Sequence, residues 1–397
     1  MNDLPINVRR HITIGCYLLV GIYLLVALYL LSGLAGPGKF YRTGVPAGAD
    51  FLQVWAGSSL AAQGRAAAVY DAAELKQAET AVIGGDFSTI LPWHYPPTFL
   101  LMTLPVSFLN YLVSLAAWLF LPLAALLLIL YKIFPDRLTV WLSLASIATA
   151  QNFFYGQGAF LVGALLGGGL LLLEGWPLLG GVLLGLILNY KPHLGWLILV
   201  ALVAGRHWRA WWALAAATAA LALASAWVLG LSTWLAFFQD LHLMRAQLTD
   251  AHLWDRMPTV FGAVRLGGGG AGLALTLQII VALLVMAGVY WVWRGRASLP
   301  LRASVLVVGT LLVTPHAGNY DLTLLLLPLA WMAQEGFQRQ WGPGEKIMLG
   351  LAWLSPFLNL ISVALASLHL EPLILAAWLI YLLTRAAPAE EKPIATA

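Results

Sequence analysis

The chain has little charge and almost no sulfur chemistry. Only 10% of its 397 residues are Asp, Glu, Lys or Arg, and it holds one cysteine, Cys16. A lone cysteine excludes an intramolecular disulfide, and its place inside an apolar run suits a small packing residue. A Walker-type phosphate loop, a CxxC pair and an HExxH helix are all missing. Their absence argues against P-loop nucleotide hydrolysis, dithiol redox chemistry and zincin-type hydrolysis. Asp50, Asp71 and Asp86 are strung along one loop without ligand spacing, so no metal or other cofactor is expected. The net charge of +4 is scattered over loops and makes no basic face for nucleic acid.

Apolar length is what the chain has in excess. It is 61% hydrophobic, with a mean hydropathy of +0.84. Runs of about 20 residues recur, the length that crosses roughly 30 Å of hydrocarbon. The expected fold class is therefore an all-α polytopic membrane protein. The first run, 12–34, is too long for a cleaved leader and reads as a retained anchor. Arg9, Arg10 and His11 precede it, which places the N-terminus in the cytoplasm. The stretch 96–109 is too short to cross, and crossing would invert every later basic loop. It reads as a re-entrant or interfacial helix in the outer leaflet.

Spans are then expected at 111–132, 138–153, 159–174, 177–189, 193–204, 209–229, 271–293, 301–314, 320–334, 346–366 and 371–384, making about twelve with the first. The turns at Lys132 and Arg137, Arg206 and Arg209, Arg294 to Arg302, Arg339 and Lys346, and Arg385 fall on the cytoplasmic side. One transmembrane domain covers 1–385. Its external parts are the loop and interfacial helices of 35–110 and a second loop, 230–270. A disordered cytoplasmic tail, 386–397, follows. In the first loop a helix should begin near Asp50, and Asp71 to Glu74 reads as a capping box opening another. In the second loop Trp234, Phe237, Phe238, Leu241 and Met244 or Leu248 recur at helical spacing, with Asp240, His242, Arg245 and Gln247 opposite. That is the pattern of an interfacial helix.

The surviving polar residues gather on one side of this topology. Ionisable groups at bilayer depth cost roughly 2.5–3.5 kcal/mol each on insertion scales, so their clustering points to a site. Asp50 suits either a helix cap or a general base that takes a proton from a hydroxyl. His94 and Tyr95 are candidate substrate contacts, the histidine within reach of a cavity; they precede Pro96 and Pro97, which open a helix, and the tyrosine also suits an interfacial anchor. Asn152 and Gln157 bracket an aromatic turn, where an amide suits a hydroxylated ligand.

Tyr190 and Lys191, both candidate donor-phosphate contacts, precede Pro192, which begins another helix. A lysine there opposes the helix dipole and would bind phosphate together with the free N–H groups, unless it snorkels to headgroups. Thr314 to Asp321 supplies His316, Asn319 and Asp321. The last two suit caps or ligand contacts, and His316 suits phosphate binding or proton transfer. His252, Asp255 and Arg256, in the second long loop, suit solvated surface charge or a contribution to the site.

Several pieces together resemble the GT-C class of membrane glycosyltransferases, and specifically glycosyltransferase family 87. They are Asp50-Phe51 with Trp55, Gly64, Tyr70-Asp71, Tyr95-Pro96-Pro97 with the helix after it, Tyr155-Gly156-Gln157, Lys191-Pro192 and Asn319-Tyr320-Asp321. The resemblance implies a GT-C-like fold in a bacterial plasma membrane, with the active site on the periplasmic or exterior face. It implies a polyprenyl-phosphate-linked sugar donor, mannose above all, a lipid or glycan acceptor, and no metal. It assigns Asp50 as general base and places His316 near the donor phosphate. A transporter or lipid-carrier translocase is the alternative. It would instead place ionisable groups at the bilayer midplane in related halves. A non-catalytic scaffold is the other.

Overall fold

The structure is a computed structural model describing residues 6–88, 91–247 and 251–387. The side chains of His242, Met244, Arg245, Gln247 and His252, residue Leu248 and the tail from 388 lie outside that description. All the helices and helical turns below follow in chain order. First come α1 (Ile6–Leu31), α2 (Ala49–Ala62), α3 (Ala72–Ile83) and α4 (Pro97–Thr103), the last continued by a 3₁₀ turn to Phe108. Next are α5 (Tyr111–Ile133), α6 (Arg137–Ala145), α7 (Ile147–Tyr155), α8 (Ala159–Leu172), α9 (Pro177–Tyr190), α10 (Pro192–Ala204) and α11 (Trp208–Leu229). Then come α12 (Leu231–Gln247), α13 (Ala251–Trp254), α14 (Val260–Leu266), α15 (Ala271–Arg294) and α16 (Leu299–Val313). A 3₁₀ segment, Asn319–Leu325, leads into α17 (Leu326–Gln338), and α18 (Glu345–Ala366) and α19 (Glu371–Ala386) come last among the described residues.

Among the described residues five helices are long and apolar enough to cross a membrane: Asn7–Ala35, Tyr111–Ile133, Trp208–Leu229, Ala271–Arg294 and Glu345–Ala366. Shorter apolar helices fill the interior, among them α8, α9, α10 and α16. At about 1.5 Å per residue these fall short of the hydrocarbon thickness. With no water to expel between lipid-facing helices, close backbone approach does the packing, and small residues permit it. Helix α9 shows this on two sides. A Cβ on Gly180 would lie 2.8 Å from the Gly169 carbonyl oxygen of α8, and one on Gly181 only 2.1 Å from the Ala210 oxygen of α11. Cys16 is buried beside Leu138 and Ala145, so α1 lies on α6.

The expected single span at 138–153 is broken. Ser146 is extended (φ −65, ψ 133) and separates α6 from α7. No proline or glycine marks the break. Hydroxyls satisfy the backbone there instead: Thr149 donates to the Ser143 carbonyl at 2.7 Å, and Ser143 to the Thr139 carbonyl at 2.7 Å. The region expected at 320–334 likewise begins as 3₁₀ before α17. Both interruptions place polar turns where uninterrupted helix was expected, and both feed the site below.

Candidate active site

Asp50 is placed by a turn that needs glycine. Gly48 adopts a left-handed conformation (φ 65, ψ 50) and is the N-cap of α2. Asp50 therefore stands in the first turn and does not cap the helix. A carboxylate is favoured there by the helix dipole. Two tyrosines clamp the turn: the Gly48 N–H donates to the Tyr41 hydroxyl at 3.1 Å, and the Tyr111 hydroxyl donates to the Ala47 carbonyl. Gly156, also left-handed (φ 72), ends α7 against it; a Cβ on Gly156 would sit 2.8 Å from the Gly48 Cα. This approach brings the next residue, Gln157, to Asp50. Its Nε2 donates to Asp50 Oδ2 at 2.7 Å.

From Gln157 a polar chain runs inward. Lys191, between α9 and α10, reaches Gln157 Oε1 at 3.5 Å and donates to Asp321 Oδ1 at 2.7 Å. Asp321 Oδ2 accepts the Gly318 N–H at 2.9 Å. Lys191 is 4% exposed and Asp321 2%. A buried charge persists only when paired and hydrogen-bonded, and each here is the other's partner. The ammonium also lies 5.6 Å from the Tyr190 ring centre and 5.1 Å from that of Tyr320. Asp50 is only half-buried. Desolvation by the surrounding protein nonetheless holds its carboxyl above the usual carboxylate range, against the hydrogen bond from Gln157 and the charges of Lys191 and Arg256.

Aromatic rings back this chain. Tyr190 stacks on Phe99 at 4.0 Å between ring centres and meets Tyr95 at 5.4 Å. The Tyr95 carbonyl accepts from the Tyr70 hydroxyl and from Trp93, each at 2.8 Å. Tyr155 faces Tyr320 at 6.2 Å. His193 and His316 meet edge to face at 6.0 Å. His94 lies close enough to His316 for their charges to interact. Burial first, then His316, pushes its imidazole down to about 4. His316 is hemmed in by protein yet keeps an exposed face, and that desolvation lowers its pKa also.

Of the residues expected at the site, Asp50, Gln157, Lys191 and Asp321 form one connected chain, with Tyr190, Tyr95, His94 and His316 around it. Asn152 and Asn319 do not face it. Asn152 is fully buried; with its amide turned to satisfy both neighbours it serves the turn, donating to the Gln157 carbonyl and accepting from the Phe160 N–H at 3.1 Å. Asn319 turns toward α18, where its Oδ1 accepts from Asn359 at 3.2 Å. Both point away because a backbone group or a distant amide needed them more than open space did. Sequence reasoning passed over His193, Tyr155 and Tyr320 as site residues, although each stood beside a chosen one. Two cavities, of about 700 and 490 Å³, lie elsewhere. One is edged by Arg296, Glu335 and Arg385, the other is apolar between α1 and α18, and no residue of the Asp50 chain lines either.

Compared with known proteins, the chain matches the family model of glycosyltransferase family 87 over residues 93–315, more than half its length. The match takes in His94, Gln157 and Lys191; Asp50, His316 and Asp321 lie beyond it. No curated protein and no solved structure matches.

Proposed function

The chain belongs to glycosyltransferase family 87, and on that premise we propose that it moves a sugar, mannose, from a polyprenyl-phosphate donor to a lipid or glycan acceptor with inversion at the anomeric carbon. That it is a multi-pass membrane glycosyltransferase follows from the family and the apolar helices. The finer reading has both termini in the cytoplasm, about twelve spans and a site on the outer face of a bacterial plasma membrane. The basic turns support it, since they fall on one side when 97–108 does not cross.

One observation carries the chemistry: the hydrogen-bonded chain Asp50–Gln157–Lys191–Asp321, built from four separate stretches of sequence. Gln157 takes one oxygen of Asp50, and among the described residues the other oxygen has no partner. That free oxygen accepts the proton of the acceptor hydroxyl as the hydroxyl oxygen bonds to the anomeric carbon. The bond from that carbon to the phosphate oxygen breaks, its electron pair leaves with the lipid phosphate, and attack from the opposite side inverts the centre. Desolvation that raises the carboxyl's basicity favours this role, while the hydrogen bond from Gln157 and the charge of Lys191 act against that rise.

The phosphate role expected of Lys191 looks different beside Asp321. Its ammonium is already committed to that carboxylate and to Gln157, so here it positions the base. His316, Tyr190, His94 and Tyr95 complete the surroundings of the donor headgroup. No metal enters the reaction as proposed. The test is Asp50→Asn, assayed with purified protein and a labelled polyprenyl-phosphate sugar. Transfer should fall by about 10²–10⁴ with folding intact. Wild-type turnover in that variant refutes the assignment.

A further inference from the structure

The charges around Asp50 do not balance for an anionic substrate. Two carboxylates, Asp50 and Asp321, face one ammonium, Lys191, and that ammonium is fully engaged by Asp321 at 2.7 Å. A sugar joined to a lipid through phosphate brings one negative charge. When the sugar leaves, the phosphate becomes a monoester and approaches two. Burial holds both nearby imidazoles, His94 and His316, below the ordinary histidine range and so disfavours their charged forms.

One further cation acts on the same groups, from a turn bonded to the loop that carries His316. Arg256 is exposed, and its guanidinium makes no hydrogen bond or ion pair among the described residues. Its charge acts on both Asp50 and Tyr155. The backbone that carries it is held firmly. The Arg256 N–H donates to Leu253 at 3.0 Å and the Met257 N–H to Trp254 at 3.2 Å, which closes a turn. His369 Nε2 bonds the Trp254 carbonyl at 2.7 Å, and the Arg265 guanidinium lies 4.0 Å over the Trp254 ring. On the other side Met257 and Thr259 are buried, and Thr259 donates to the Pro315 carbonyl at 3.0 Å, next to His316. Its neighbour Asp255, also exposed, acts on Tyr155 and His369. A merely solvated surface arginine, one of the two readings the sequence left open, needs no such anchoring.

We infer that Arg256, fixed on this turn between Tyr155 and the His316 loop, is the ligand of the donor's phosphate group. The assignment rests on the lipid-phosphate donor proposed above. An arginine presents several N–H groups in a plane and stays charged, which suits two phosphate oxygens at once. As the bond from the anomeric carbon to the phosphate oxygen breaks, the electron pair passes to that oxygen and the guanidinium meets the added charge. The acceptor's proton goes to Asp50, on the other side of the sugar.

The experiment compares binding of undecaprenyl phosphate and of undecaprenol, which lacks the phosphate, by native mass spectrometry in detergent. The proteins are the wild type, Arg256→Gln and Arg256→Lys. Wild type should prefer the phosphorylated lipid by about tenfold or more, and Arg256→Gln should lose most of that preference. Arg256→Lys should keep part of it and lose it more readily in salt. An Arg256→Gln protein with the wild-type preference overturns the inference and leaves the donor reading standing. A wild type without any preference overturns the donor reading, and the inference with it.

Discussion

The ion pair beneath the site can be tested by taking it apart one residue at a time. Lys191 Nζ and Asp321 Oδ1 are 2.7 Å apart, with side chains 4% and 3% exposed. At an effective dielectric of about 20 two unit charges at that distance attract by roughly 6 kcal/mol. Desolvation of both groups offsets most of this, so the pair adds little over an apolar pair of the same shape. The asymmetry shows when one partner is removed. Lys191→Met leaves the Asp321 carboxylate buried with only Gly318 and should cost about 3–5 kcal/mol. Asp321→Asn leaves a buried ammonium with a neutral amide and should cost a similar amount. The double variant should recover about 2–3 kcal/mol of the summed loss, because neither charge is then stranded. Unfolding by SDS, followed through the chain's 18 tryptophans, measures all three proteins. Additive losses refute the pair as a structural unit and would return Lys191 to the substrate.

Four further outcomes follow from the same geometry. Gln157→Ala removes the hydrogen bond that favours ionised Asp50, so the acid limb of the pH–rate profile should move to higher pH with transfer about tenfold slower; an unmoved limb would mean Gln157 does not tune the base. Glu79 is 1% exposed with one oxygen unpartnered, and burial raises its carboxyl from 4.5 to about 8. The folded state therefore holds a proton that the unfolded chain releases, and this stability is present below about 4.5 and lost as pH rises toward about 8, by at most about 5 kcal/mol. Glu79→Gln should then flatten the thermal stability of the protein between pH 5 and pH 8.5, and retention of the wild-type slope would count against it. Gly181→Ala should cost about 1–3 kcal/mol by pushing α11 away, whereas Gly15→Ala, which meets nothing within 4 Å, should be near neutral; equal melting temperatures for the two would contradict the packing.

Hydropathy exposes the long helices because a run of apolar residues states its own length. Helices α5, α11, α15 and α18 lie within two residues of the spans read from sequence. It does not expose Ser146, where apolar residues continue through the break and hydroxyls bonding back to the chain do the interrupting. The polar clusters were visible because each is costly in an apolar chain, but their pairing was not. Lys191 and Asp321 are 130 residues apart, and no local pattern tells that one is spent on the other. In sequence Asn319 is equivalent to Asp321; its partner on α18 separates them, since whether an amide faces a ligand or a helix is decided by what packs opposite. The position of Asp50 one turn-residue inside α2 follows from Gly48, whose freedom to turn left-handed makes it the cap.

The meeting of Gly48 with Gly156 has an evolutionary and engineering consequence. A methyl on Gly156 would press on backbone, so the segment bearing Asp50 and the bundle bearing Gln157 touch with no side chain to cushion a mismatch. They cannot be exchanged as cassettes. A chimaera joining one enzyme's first loop to another's bundle would keep every reactive group and still misalign them, unless both glycines and both clamping tyrosines came across together.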